Sequence, residues 1–220
     1  MKWVAIVCVV LLLSSCLSLR TDSTMQEIDL ILIPNVGISD GLNLKTEFDV
    51  VLESKNYISN LSGYIRSGNS SQKLIFTPAG TLTSKTWTAK VTIIPIDEVN
   101  IEIEYYAYGY LKRTLEKTFK ADDDGTVEVT LDMVRETPVS TEVETSKVYV
   151  LLKSNRIVTN VAGYLKGENG IYELSFKPLG TNWIAETSVA TSEVLISTTV
   201  EYYIFKKYAY VKDTITKFWP

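Results

Sequence analysis

The chain has 220 residues, 45% hydrophobic, 10% aromatic and 22% charged, with 22 basic and 26 acidic side chains and no histidine. Such a composition is that of a globular protein, and the missing histidine removes Ser-His-Asp and Cys-His nucleophiles, the HExxH zinc helix and the commonest proton shuttle near neutral pH. A net charge of −4 supplies no basic footprint for a phosphate backbone, which argues against nucleic acid as a partner.

At the N-terminus, Lys2 precedes an unbroken apolar run from Trp3 to Leu13. The run falls short of the roughly twenty residues that span a bilayer and suits the core of a signal peptide. It ends at Leu13-Ser14-Ser15-Cys16, which resembles the lipobox of bacterial lipoproteins. The resemblance implies cleavage before Cys16 and a diacylglycerol on its sulfur. It also implies export, with the chain held at the cell membrane or outer membrane and facing the periplasm or exterior. An ordinary cleaved signal with an incidental cysteine is the competing reading, and the mass of Cys16 separates the two. Under either reading Cys8 is removed, and acylation of Cys16 would leave no thiol for a disulfide, a metal or catalysis. Residues 1–15 are expected to be the signal peptide and 16–26 a lipid-anchored tether. The ten residues Leu17 to Gln26 would reach about 33 to 36 Å when fully extended.

Beyond the tether the chain repeats itself. At an offset of one hundred, identical residues stand at Val50/Val150, Leu52/Leu152, Ser54/Ser154, Asn60/Asn160, Gly63/Gly163, Tyr64/Tyr164, Leu74/Leu174, Phe76/Phe176, Pro78/Pro178, Gly80/Gly180 and Thr81/Thr181. After a local slip the register returns with Tyr108/Tyr208, Tyr110/Tyr210, Lys112/Lys212, Thr114/Thr214 and Lys117/Lys217. Within the slip, Trp87 corresponds to Trp183, and Glu104-Tyr105-Tyr106 to Glu201-Tyr202-Tyr203. The second copy has a shorter loop after Thr181 and a longer one near Lys206, as expected of surface connections. The acidic run Asp122-Asp123-Asp124-Gly125 marks the boundary, giving domains at 27–121 and 122–220 of ordinary size.

Each copy alternates apolar and polar residues with the period of a strand. In the first, Ile28, Leu30 and Leu32 lead up to Pro34, and strands follow at Phe48 to Leu52, Leu61 to Arg66, Lys73 to Thr77, Trp87 to Ile94, Asn100 to Tyr106 and Tyr110 to Phe119. The second predicts Val127 to Val134, Lys147 to Leu152, Val161 to Lys166, Tyr172 to Lys177, Trp183 to Ala190, Ser197 to Tyr203 and Tyr210 to Phe218. Pro78 and Pro178 are expected to end the fourth strands, because proline cannot donate to a ladder. In strand six, Ile101, Ile103 and Tyr105 should face the core and Glu102 and Glu104 the solvent, matched by Thr198, Val200 and Tyr202 inside with Glu201 outside. Seven short strands in about one hundred residues make an all-β chain of two tandem β-sandwich domains that resemble immunoglobulin-like or fibronectin type III-like modules. The resemblance is architectural, since the paired cysteines of antibody domains are absent.

Candidate sites gather in two places. Tyr106, Tyr108 and Tyr110, with Tyr203, Phe205, Tyr208 and Tyr210, surround the turn between strands six and seven of each copy. There their rings suit a sugar or a partner protein, or simply pair across strands. Asp122, Asp123 and Asp124 offer carboxylates to calcium between the domains, or form a solvated turn. No phosphate-binding glycine motif and no cofactor signature is present, and no carboxylate pair is singled out as a glycosidase dyad. The expectation is a non-catalytic, lipid-anchored envelope protein acting as a binding or assembly module, with a membrane contact and a protein partner or self-assembly. The alternatives are a carbohydrate-binding lipoprotein and an enzyme with an unrecognised carboxylate site.

Overall fold

A computed structural model describes residues 28–35, 44–80, 85–122, 125–136 and 144–220; Cys16, the tether, Asp123 and Asp124 lie outside them. The first module runs β1 (Ile28–Asn35), β2 (Thr46–Ser54), β3 (Ile58–Ser67), β4 (Ser70–Leu74), β5 (Thr77–Pro78), β6 (Thr86–Ile93), β7 (Glu98–Ala107) and β8 (Leu111–Lys120). The second runs β9 (Val129–Arg135), β10 (Thr145–Ser154), β11 (Val158–Gly167), β12 (Ile171–Leu179), β13 (Asn182–Ala190), β14 (Leu195–Lys206) and β15 (Ala209–Phe218). The described residues contain strands and no helix.

In the first module two four-stranded sheets, ordered β1-β2-β6-β5 and β4-β3-β7-β8, enclose one core; the second forms a continuous seven-stranded sheet, β15-β14-β11-β12-β13-β10-β9. These orders follow from one strand changing layers. β12 pairs with β11 through Ile171–Ser175 and with β13 through Phe176–Leu179, so it belongs to both layers. Its counterpart in the first module is interrupted at Ile75 and Phe76, and the two pieces are β4 and β5. Both modules are immunoglobulin-like sandwiches in strand order.

The expectation that proline ends the fourth strand holds for Pro78, the last residue of β5, while in the second module the strand runs one residue past Pro178, to Leu179. Pro78 pairs with Trp87 and Pro178 with Trp183, each within the last two residues of its strand. β5 is the edge of its sheet, so the missing N–H faces no neighbour. Strand six behaves as its alternation demands: Val99, Ile101, Ile103, Tyr105 and Ala107 are buried, while Glu102 and Glu104 are half-exposed. The cores are separate clusters, one around Phe48, Val50, Ile65 and Ile103, the other around Val148, Val150, Leu165 and Val200.

Most of the repeated identities have a scaffold reason. Asn60 and Asn160 both have a φ of 50°, and each lies at the register shift between the third strand of its module and the sixth. Asparagine tolerates that left-handed conformation better than most residues, so the same bulge recurs with the same residue. At Gly63 and Gly163 an added Cβ would lie 2.5 Å from the carbonyl oxygens of Glu102 and Thr199, which leaves room for glycine only. Lys117 donates through Nζ to the carbonyl oxygen of Leu30 at 2.7 Å, and Lys217 to that of Leu131 at 2.8 Å. The last strand of each sandwich is thereby tied across the gap between layers to its first strand.

Candidate interaction site

Strand directions sort the loops of the first module into two ends. Ile28 lies opposite Ser54, Thr86 opposite Glu53, and Ile58 opposite Ala107, which leads into the turn at 108–110. The start of β1, the turn at 55–57, the start of β6 and the β7–β8 turn therefore share one end. At the other end Asn35 meets Glu47, Thr46 meets Ile93, and Glu98 meets Lys120. The second module repeats this arrangement.

The hairpin turns at the first of these ends differ between copies. In the first module Ala107 pairs with Leu111, leaving a three-residue turn in which Tyr108 and Gly109 take φ values of 54° and 81°. The Tyr110 amide donates to the Ala107 carbonyl at 3.3 Å, and the Tyr108 amide donates to the Tyr57 carbonyl at 3.3 Å. This turn presents its side chains to solvent: Tyr110 is 77% exposed, Tyr108 49%, Tyr57 47% and Leu111 40%. Tyr106 is half-buried on the strand before it.

In the second module the hairpin is longer. Ile204 pairs with Val211, as Ala107 does with Leu111, but the ladder continues through Phe205 with Tyr210 and Lys206 with Ala209. The extra length carries the hairpin onto the far end of the first module. The Tyr210 amide donates to the Pro95 carbonyl at 2.9 Å, and the Asp97 amide donates to the Tyr210 carbonyl at 3.0 Å, making a short parallel bridge to Ile96. Tyr210 is 3% exposed and Ala209 fully buried. Burial holds the Tyr210 phenol above its ordinary pKa. The Tyr208 ring packs against the first module's core, edge-on to Phe119 with centroids 5.1 Å apart, and Phe205 packs edge-on to Tyr210 at 5.0 Å. The contact combines strand addition with aromatic anchors.

Of the sequence-predicted residues, then, Tyr208 and Tyr210 are committed to the joint between modules, and Phe205 supports them. Tyr203 is half-buried in the ladder opposite Thr159 and Lys212. Only Tyr108 and Tyr110 present open rings, with Tyr57 and Leu111 as neighbours that the sequence reading did not single out. Asp122 is exposed beside the linker, and among the described residues no group of three or more metal-ligating side chains gathers.

A second open surface lies at the far end of the second module, the counterpart of the end that receives the hairpin. The pairings Gly63–Ile103 and Gly163–Val200 place Glu193 and Val194 where the first module has Ile96 and Asp97. There Val194 is 54% exposed and Ile171 68%. Glu193 turns inward, accepting from the Asn169 amide at 2.8 Å and from the Tyr172 hydroxyl at 2.9 Å. Those donors, the Asn169 amide first, hold its carboxyl below the usual carboxylate range. Arg135 donates to the carbonyls of Glu193, Ala190 and Thr191 and fixes the loop from beneath. The loop is thus held at several points, with Val194 outward.

No protein-family model matches this chain, and no curated protein matches it.

Proposed function

We propose that the chain is a non-catalytic, lipid-anchored envelope protein whose two sandwiches form a binding or assembly module for a protein partner. The observation that supports this reading is the joint itself. One module end already receives a β-hairpin through main-chain bonds and tyrosine rings, and the second module repeats that receiving end with no hairpin docked on it among the described residues. Val194, on a loop held by Arg135 and Glu193, and Ile171, the first residue of β12, are the apolar contacts it offers. The partner that suits such a surface is a protein that presents an aromatic hairpin or loop.

Co-purification from solubilised envelope tests the proposal. A partner that copurifies with the wild type should be lost with Val194→Asp or Ile171→Asp, exposed positions where the fold tolerates charge. Recovery of the protein alone, or a partner indifferent to both substitutions, would count against it. A carbohydrate role through the exposed rings of Tyr108 and Tyr110 is the second reading. It requires glycan-array binding that disappears in Tyr108→Ala.

A further inference from the structure

We propose that the tyrosine end of the first module rests on the lipid surface, with Tyr108 and Tyr110 at the level of the headgroups. The inference rests on the reading of Cys16 as the lipid-bearing residue and names a contact beyond that covalent anchor. It starts from position along the chain. Ile28, the first residue of β1, lies at the same end of the sandwich as the turns carrying Tyr57, Tyr108, Tyr110 and Leu111. From Cys16 to Ile28 the chain can span at most about 40 Å. Along the chain, the end of the first module closest to the anchor is the end with open aromatic rings.

The second module shows what this end of the fold does. There it is buried on the element that precedes it in the chain, which is the first module. For the first module, the preceding element is the anchor and its membrane.

The way the two hairpins differ favours lipid over another β-surface. The Tyr210 amide and carbonyl project from an extended ladder and bond to the β6–β7 connection at Pro95 and Asp97, whereas the Tyr110 amide is turned inward onto Ala107. The first hairpin thus offers rings without a projecting strand edge. A tyrosine ring with an apolar body and a polar hydroxyl is the side chain that settles at a membrane interface. Charges around this end are mixed, with Lys55 and Lys85 beside Asp29 and Glu53 lining one hollow, so the contact should not depend on anionic lipid.

The test uses the full-length lipidated chain in phosphatidylcholine vesicles, with and without phosphatidylglycerol. A photoreactive benzoylphenylalanine is placed at Tyr110 in one sample and at Val194 in another, and unchanged melting confirms that both fold. The expected result is lipid crosslinking several-fold higher from position 110 than from 194, and insensitive to phosphatidylglycerol. Equal lipid crosslinking from both positions overturns the proposal, as does crosslinking of position 110 to a second copy or to an added soluble protein. The mass of Cys16 is measured in parallel. If it carries no lipid, the anchor reading fails separately, and the same probe on a chain coupled through the Cys16 thiol to a maleimide lipid still decides whether this end meets the bilayer.

Discussion

The two hairpins between the sixth and seventh strands share their tyrosines and differ in length and in fate. Tyr110 is 77% exposed and Tyr210, its counterpart, 3%. The ring type is the same; the extra ladder pairs, Phe205 with Tyr210 and Lys206 with Ala209, make the difference. They lift the Tyr210 backbone clear of its own sandwich so that it can bond to Pro95 and Asp97. A residue repeated for fold alone can thus be turned to assembly by a short insertion next to it. The comparison also says where to look for function: repeated identities mostly hold the scaffold, and the joint forms at module ends, where the copies diverge.

The severest way to probe the comparison attacks the part the copies share. Ile103→Asp and Val200→Asp each place an unpaired carboxylate in a separate core, at a cost of more than about 4 kcal/mol. Each should unfold its own module, as followed by amide exchange in the two halves. Retention of both cooperative transitions in either variant would show that these positions are not core. A smaller effect should separate the hairpins. Tyr210→Ala should destabilise the joint by about 3 kcal/mol, as for other buried aromatic truncations, while Tyr110→Ala should stay within about 0.5 kcal/mol. Chemical denaturation of both variants checks this, and equal losses would erase the distinction drawn here.

The mildest test is alkaline titration. Burial, with the Asp213 carboxylate behind it, holds the Tyr202 phenol well above the ordinary tyrosine range, and burial alone raises Tyr210. The unfolded chain releases these protons near pH 10, before the folded chain does. The stability they contribute is therefore complete below about pH 10 and is lost as pH rises beyond it. Tyr202→Phe should move the alkaline unfolding of the second module to higher pH. Phenols that all titrate together near pH 10 in a folded protein would refute the assignment.

Much of this fold was legible in the sequence because a strand's period is unambiguous when one face is buried. Ile101, Ile103 and Tyr105 against Glu102 and Glu104 could be read only one way, and the structure keeps that reading. The prolines marked the strand ends to within one residue, and they still join the ladder there because the missing N–H lies on the unpaired side. Pro78 sits at a sheet edge, a fact of strand order and not of local sequence. The site was legible only in part. The tyrosines were visible as a cluster, but their fates depend on where a hairpin projects once the modules are docked. The slip near Lys206 was the available clue, since an insertion beside repeated aromatics marks a place where one copy reaches further. Val194 and Ile171 gave no signal at all, being ordinary strand-end residues until the receiving end of the first module revealed their place.

Hydroxyl-radical footprinting of the chain in solution, in a form lacking residues 1–16, tests the central claim most directly, because one digest reports every tyrosine at once. Tyr108 and Tyr110 should be oxidised readily, Tyr208 less so, and Tyr210 should be protected. Oxidation of Tyr210 at the rate of Tyr110 would mean that the second hairpin does not dock, and the contrast between the two copies would fall with it.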